Sequence, residues 1–94
     1  MTYVLVRFSV ENLAKWKSVF EEASTLRKNF SSVGVHAFSK TDTPNEVFVL
    51  GEYADKEKAM QMFQSQELKD TMQRAGVKGP PEVSFLNEVD QLPA

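Results

Sequence analysis

His36 is the residue whose chemistry stands out, because it is the only histidine in the chain. Imidazole is the side chain that titrates near neutral pH without any perturbation, so His36 is the natural candidate for a general base. A single histidine also commonly serves as a hydrogen-bonded structural residue, and that alternative stays open. A catalytic role would require His36 to share a pocket with a second polar group.

Residue types exclude several other kinds of catalytic site. The chain has no cysteine, which excludes thiol nucleophiles and thiolate metal sites, and one histidine cannot form a multi-histidine metal site. The sequence contains neither a glycine-rich phosphate loop nor a G-x-S-x-G elbow. Met60, Met62 and Met72 are expected to fill gaps in the core rather than to bind haem. We therefore predict no metal and no cofactor.

Length and charge limit the class of protein further. The 94 residues predict one domain, residues 1–94, and 41% hydrophobic with 26% charged residues is typical of a globular fold. A net charge of −2 argues against binding to nucleic acid or to an anionic membrane. The start of the sequence resembles no signal peptide, and no apolar run is long enough to span a bilayer, so we expect a cytoplasmic protein.

Apolar spacing predicts two strand–helix–strand units. In the first unit, the apolar residues between Leu13 and Phe30 recur at helical spacing and predict one long amphipathic helix. Three stretches rich in β-branched and aromatic residues predict strands, the last two of them joined at the turn Asp42-Thr43-Pro44-Asn45. The strands are Tyr3 to Ser9, Val33 to Thr41 and Glu46 to Tyr53.

The second unit is predicted to contain two helical pieces and a final strand. The pieces are Asp55 to Phe63 and Gln66 to Ala75, the latter ended by Gly76. Lys78-Gly79-Pro80-Pro81 is expected to reset the chain direction before a strand from Glu82 to Val89. The order βαββαβ predicts a ferredoxin-like α+β fold, in which a four-stranded antiparallel sheet carries its helices on one face.

The other face of this sheet is predicted to be apolar as well. Alternation places Leu5, Phe48, Leu50 and Leu86 on the face that the helices cannot cover. An apolar sheet face left in water favours association, and a small domain without disulfides gains stability from it. We therefore predict a homodimer through the helix-free face. The alternative is that these are scattered exposed aliphatic residues, which are common in monomers.

Charged residues on that face raise two further questions. Arg7 is predicted to reach Glu52 or Glu88, either as a structural ion pair between two sheets or as part of a charged patch that lines a cavity. RNA-recognition modules share this order of strands and helices, but they need basic residues on the third strand. That strand carries Glu46 and Glu52 instead, which excludes RNA binding of this kind.

Three segments resemble the dimeric α/β-barrel superfamily, which includes the antibiotic-biosynthesis-monooxygenase-like proteins. They are the helix start at Asn12–Phe20, the stretch Ser65–Met72, and Ala75–Pro81 before the final strand. The resemblance implies that two ferredoxin-like protomers pair their sheets face to face into a barrel. It also implies a ligand pocket between sheet and helices. Activities in the superfamily include cofactor-independent quinone-type oxygenation, haem breakdown and isomerisation, so the fold does not select one function.

Cofactor-independent oxygenases of this superfamily tend to build their pockets from Asn, Trp, Tyr, Arg and His. The resemblance therefore makes Asn12, Trp16, Arg27 and His36 candidate site residues, with Tyr3 and Tyr53 also of the right type. Each has a structural alternative: Trp16 belongs to the apolar stripe of the first helix, and Asn12 is a suitable helix cap.

Two functions follow from these residues. The first is a homodimer that binds a small apolar or aromatic metabolite, and the second is a cofactor-independent monooxygenase or isomerase-like enzyme acting on an aromatic or quinone-type substrate. In the enzyme, His36 would accept a proton and Asn12 or Arg27 would stabilise an oxyanion, while Trp16 and Phe20 would stack on the rings. The pocket is predicted between the first helix and the sheet, lined by Trp16 and Phe20.

The far end of this core is expected to be closed by Leu26 and Phe30. His36 joins the pocket only if it faces inward together with Gly34 and Phe38. The other face of the same strand is equally apolar, so alternation alone does not decide between them.

Overall fold

The structure is a computed structural model that describes all residues, 1–94. Four strands and four helices follow one another along the chain, and the ferredoxin-like order predicted from the sequence is confirmed. The elements are β1 (Thr2–Val10), α1 (Leu13–Glu22), α2 (Ser24–Asn29), β2 (Ser32–Lys40), β3 (Thr43–Tyr53), α3 (Lys56–Gln64), α4 (Gln66–Arg74) and β4 (Val77–Leu86).

The strands form one antiparallel sheet in the order β2-β3-β1-β4, with the two halves of the chain interleaved. The molecule measures 34 × 33 × 20 Å, and its thin dimension fits one sheet covered by one layer of helices. None of the helices is long and apolar enough to cross a membrane.

The single long helix predicted between Leu13 and Phe30 is wrong, because the helix breaks at Ala23. The carbonyl of Phe20, in the last turn of α1, accepts a 2.7 Å hydrogen bond from the Arg27 guanidinium. Helix ends leave carbonyls without backbone partners, so a side-chain donor at this position stabilises the end of α1. The short helix α2 then continues the apolar pattern from Ser24.

The boundaries of α3 and α4 agree closely with the sequence prediction, because both helices begin at strong capping residues. The Asp55 side chain accepts from the Lys58 amide at 3.2 Å, and the Ser65 hydroxyl accepts from the Leu68 amide at 3.2 Å. Gly76 follows α4 with φ of +80°, the left-handed geometry that ends many helices.

The predicted boundaries of the last strand are wrong at both ends. β4 begins at Val77, includes Lys78-Gly79-Pro80-Pro81, and ends at Leu86. Its pairing register with β1 shifts at this segment, and Gly79 takes φ of +70°. Proline is compatible with an edge strand or a bulge, where its missing N–H leaves no ladder bond unmade. Val89 lies beyond the strand and is 97% exposed.

Alternation assigns the sheet residues to the two faces largely as predicted. One face packs against the helices and supplies most of a core cluster of 12 buried residues, which includes Val4, Val6, Val47 and Val49. The helix-free face carries the apolar side chains expected there. Leu5, Phe48 and Leu50 are half-buried on it, and Leu86 is exposed.

Arg7 pairs with a different carboxylate from those predicted. Its guanidinium binds Glu46 on β3, with Nε 2.7 Å from Oε1, and Lys40 lies 3.8 Å from the other oxygen of Glu46. The hydrogen bond from Arg7 lowers the pKa of Glu46. Glu52 and Glu88 lie near Tyr3 instead, where partial burial and then these carboxylates raise the pKa of the phenol.

Candidate functional site

A cavity of about 70 Å³ lies between the helices and the sheet. Of the 18 residues that line it, 15 are hydrophobic, and β1 and β3 form its floor while residues from all four helices form its walls. It is partly open to solvent rather than sealed. An apolar hollow with few polar groups is the usual form of a small-molecule site. Its volume is about half that of an engineered cavity known to hold benzene, so a ligand larger than a single ring would not fit without movement of the lining side chains.

Stacked aromatic side chains form the wall that α1 contributes. The ring centroids of Trp16 and Phe20 lie 4.7 Å apart with an interplanar angle of 22°, and Phe8 tilts against Trp16 at 5.6 Å. Asn12 starts α1 and the helical period brings Trp16 and Phe20 onto its inner face. Leu26 also lines the cavity, whereas Phe30 packs against the core without lining it.

Arg27 brings a positive charge to this apolar space. Its guanidinium carbon lies 4.1 Å from the centroid of the Phe20 ring, a cation–π contact, in addition to the bond to the Phe20 carbonyl. Partial burial lowers the pKa of Arg27, but a guanidinium remains charged at neutral pH. Arg27 belongs to α2, which follows the break at Ala23, and it lines the cavity together with Leu26.

Tyr53 supplies a second polar group to the cavity. Burial raises the pKa of its phenol, and the nearby charge of Arg27 partly offsets that effect, so Tyr53 is a neutral hydroxyl at neutral pH. Its ring lies over Gly51: a Cβ at Gly51 would come within 2.8 Å of Tyr53 Cε2. Glycine at position 51 therefore makes room for the Tyr53 ring on the cavity floor.

The sequence interpretation did not include Gly51 or Met62 in the site and gave Tyr53 no role. The signal for Gly51 and Tyr53 was available, because alternation along β3 places both on the face that carries Val47 and Val49. Met62 could not be assigned to the cavity from the sequence, because that requires the position of α3 relative to the sheet, which periodicity alone does not supply.

Asn12 caps α1 and does not line the cavity. Its side-chain oxygen accepts a 3.0 Å hydrogen bond from the Lys15 amide, and the residue is exposed. The capping alternative considered for Asn12 describes this contact, and the structure shows no contribution to the pocket.

We expect Asn12→Ala to lower the free energy of unfolding by about 1 kcal/mol, because the cap of α1 is lost. Asn12→Asp should restore most of this stability, since aspartate also caps helices. Chemical denaturation checks both variants. A loss of ligand affinity in Asn12→Asp with stability retained would contradict a purely capping role.

His36 lies on the helix-free face, the alternative that the sequence left open, so the catalytic candidate is outside the pocket. Its cross-strand partner is Leu50, and the neighbouring Phe38 pairs with Phe48 on the same face. The imidazole is exposed, with the Phe38 ring 6.3 Å away between centroids. Since the sheet separates His36 from the cavity, the structure brings together Trp16, Phe20 and Arg27 but neither His36 nor Asn12.

An outer hollow adjoins the cavity between α1–α2 and α4. It shares Ala23, Leu26 and Thr71 with the cavity, and charged residues surround its rim. Glu22 pairs there with Arg74 at 3.2 Å, and both side chains are exposed. Residues at this rim are Glu22, Glu67, Asp70 and Arg74. The hollow is open to solvent, and it shares Ala23, Leu26 and Thr71 with the lining of the apolar space.

Comparison with known proteins identifies the fold. No protein-family model matches the sequence, and no curated protein is significantly similar to it. Among solved structures, SnoaB, a cofactor-independent oxygenase from Streptomyces nogalater, superimposes with a TM-score of 0.79 at 15% identity. The match covers 99% of this chain and 97% of SnoaB.

Two further structures show the same likeness. A protein from Bordetella bronchiseptica assigned as an antibiotic biosynthesis monooxygenase has a TM-score of 0.80 at 15% identity, over 94% of this chain and 96% of that one. A protein from Caulobacter crescentus with the same assignment has a TM-score of 0.73 at 16% identity, over 95% and 90%. The chain therefore has the ferredoxin-like fold of the antibiotic-biosynthesis-monooxygenase-like proteins, as its sequence resemblance implied.

Proposed function

We propose that this protein binds a small aromatic metabolite in the cavity between α1 and the sheet. The observation that carries the proposal is the composition of that cavity, which is almost wholly apolar, is walled by the stacked pair Trp16–Phe20, and contains one guanidinium. Apolar lining supplies binding energy in proportion to the ligand surface removed from water, and the few polar groups orient the ligand.

We also propose that the active form is a homodimer joined through the helix-free sheet face. The apolar residues Leu5, Phe48 and Leu50 lie close together on this face, since Leu5 and Leu50 are cross-strand partners. The two-layer architecture leaves this face without a covering layer, and a second copy would supply one. His36 and Phe38 would then lie at or beside the interface, where His36 has a structural role.

A second candidate function is cofactor-independent oxygenation of an aromatic or quinone-type substrate. The fold shared with SnoaB favours it. No group in the cavity is a base at neutral pH, because Arg27 is cationic and Tyr53 is protonated. The reaction would therefore need a substrate acidic enough to ionise in the site, with Arg27 stabilising the resulting oxyanion. Binding without catalysis requires no such condition, so it is the function we propose first.

Filling the cavity tests the proposed binding. Ala75 is 2% exposed and lines the cavity, so Ala75→Leu should occupy the space and weaken the binding of a single-ring probe such as phenol by about tenfold. Ala14→Leu, at an exposed position of α1, should leave affinity unchanged. Isothermal titration calorimetry compares the two variants with the parent chain.

Overpacking also costs stability, by about 1–3 kcal/mol, so the melting temperature of Ala75→Leu is measured alongside. A folded Ala75→Leu that binds the probe as tightly as the parent would show that the ligand lies elsewhere. Absence of binding to the parent chain by any single-ring probe would contradict the proposed function itself.

A further inference from the structure

Arg27 is a partly buried cation without a carboxylate partner. The three ion pairs of the chain involve Arg7, Lys40 and Arg74, and none includes Arg27. Charged groups withdrawn from water are normally paired, because losing hydration is costly. The acidic residues at the rim of the outer hollow are not partners of Arg27, since they are exposed and Glu22 is already paired with Arg74.

The contacts that Arg27 does make leave most of its hydrogen-bonding capacity unused. One nitrogen donates to the Phe20 carbonyl, and the plane lies over the Phe20 ring. A guanidinium has five N–H donors in a fixed fork that matches the two oxygens of a carboxylate. The side chain is thus held in place by Phe20 while its remaining donors stay available at the cavity wall.

Tyr53 offers a second donor in the same cavity. The chain's side-chain hydrogen bonds include none from its hydroxyl, and that oxygen is not fully enclosed. Tyr53 and Arg27 line the same cavity, so a ligand in it is within reach of both groups. A protonated phenol and a guanidinium are both donors, so together they match an acceptor that carries negative charge.

We propose that the cavity selects an aromatic ligand that carries an oxyanion, a carboxylate or a phenolate, whose oxygens accept from Arg27 and Tyr53. The ring occupies the apolar space lined by Trp16 and its neighbours. This inference rests on the proposed function, because it assigns the chemical class of the ligand that the cavity takes. It adds a requirement for charge that an apolar cavity alone does not impose.

Benzoate and benzamide test this requirement, since they have nearly the same shape and differ in charge. We expect the parent chain to bind benzoate at least about tenfold more tightly than benzamide, measured by calorimetry. Arg27→Met should abolish this preference. Lys28→Met removes an exposed positive charge from the next position of α2 and should retain it. Arg27→Lys keeps the charge without the fork, so we expect part of the preference to survive.

A second experiment tests phenolate ligands with 4-nitrophenol, whose ionised form absorbs visible light. Binding to the parent chain should shift its ionisation to lower pH, and Tyr53→Phe should reduce the shift. A shift without preferential benzoate binding would assign the site to phenolates, and the reverse would assign it to carboxylates.

Melting temperatures of all variants establish that they are folded. Equal affinity for benzoate and benzamide, together with an unshifted 4-nitrophenol, would overturn the charge requirement while leaving the apolar site intact. A preference that persists in folded Arg27→Met would also overturn it. If none of the three compounds binds the parent chain, the proposed function fails together with this inference.

Discussion

The Phe48→Glu variant is expected to be a monomer. Phe48 lies near the middle of β3 on the helix-free face, half-buried beside Leu50, and the Arg7 guanidinium lies 5.5 Å from its ring centroid. In the proposed dimer a carboxylate at this position would be buried, and the neighbouring Arg7 would compensate its charge only in part, because Arg7 is already bound to Glu46. Such a charge costs several kcal/mol, which is comparable to the stability of a small domain. Light scattering should report a mass of 10.6 kDa instead of twice that value.

Two further variants make this result specific. Leu50→Glu places the charge farther along the same face, opposite Leu5, and should also give a monomer. Ala37→Glu adds the same charge to the neighbouring strand on the other face, at an exposed position, and should remain dimeric. A monomeric parent chain, or a dimer that survives both Phe48→Glu and Leu50→Glu, would contradict the proposed interface.

The sheet was the part of the fold that the sequence predicted best. Apolar residues at every second position of β1 point to the core as expected, and strand order follows from the right-handed connections of the two halves. The predicted boundaries of β4 were wrong, because local sequence signals there competed with pairing between strands. Pro80 and Pro81 indicated a break, but at a bulged sheet edge proline is tolerated, so β4 runs through them.

The candidate site was predicted less well, for two different reasons. His36 lies on a strand that is apolar on both faces, and with a period of two the choice between faces depends on the pairing with β3. Arg27 was a candidate by residue type, but it belongs to α2, and the continuous apolar spacing did not indicate that α2 is separated from α1 at Ala23. Trp16 and Phe20 were easier to place because the period of one well-capped helix fixes their common face.

Met62 gives the largest stability effect that we expect from the core. It is 2% exposed on the inner face of α3 and also lines the cavity, so Met62→Ala would enlarge a space that is already partly empty. Truncating a buried methionine to alanine costs about 2–5 kcal/mol, from lost transfer energy and from the cavity left behind. Denaturant unfolding should show a loss in this range.

Met60 is the matched control, because it lies two positions earlier on the same helix and is 37% exposed. Met60→Ala should cost less than about 1 kcal/mol, since little apolar surface returns to water. The enlarged cavity of Met62→Ala also predicts a functional change: a two-ring probe such as naphthalene should raise its melting temperature more than that of the parent chain. An equal loss in the free energy of unfolding for the two substitutions would show that α3 does not pack on the sheet through Met62. If naphthalene raises the melting temperatures of Met62→Ala and the parent chain equally, Met62 does not line the ligand cavity.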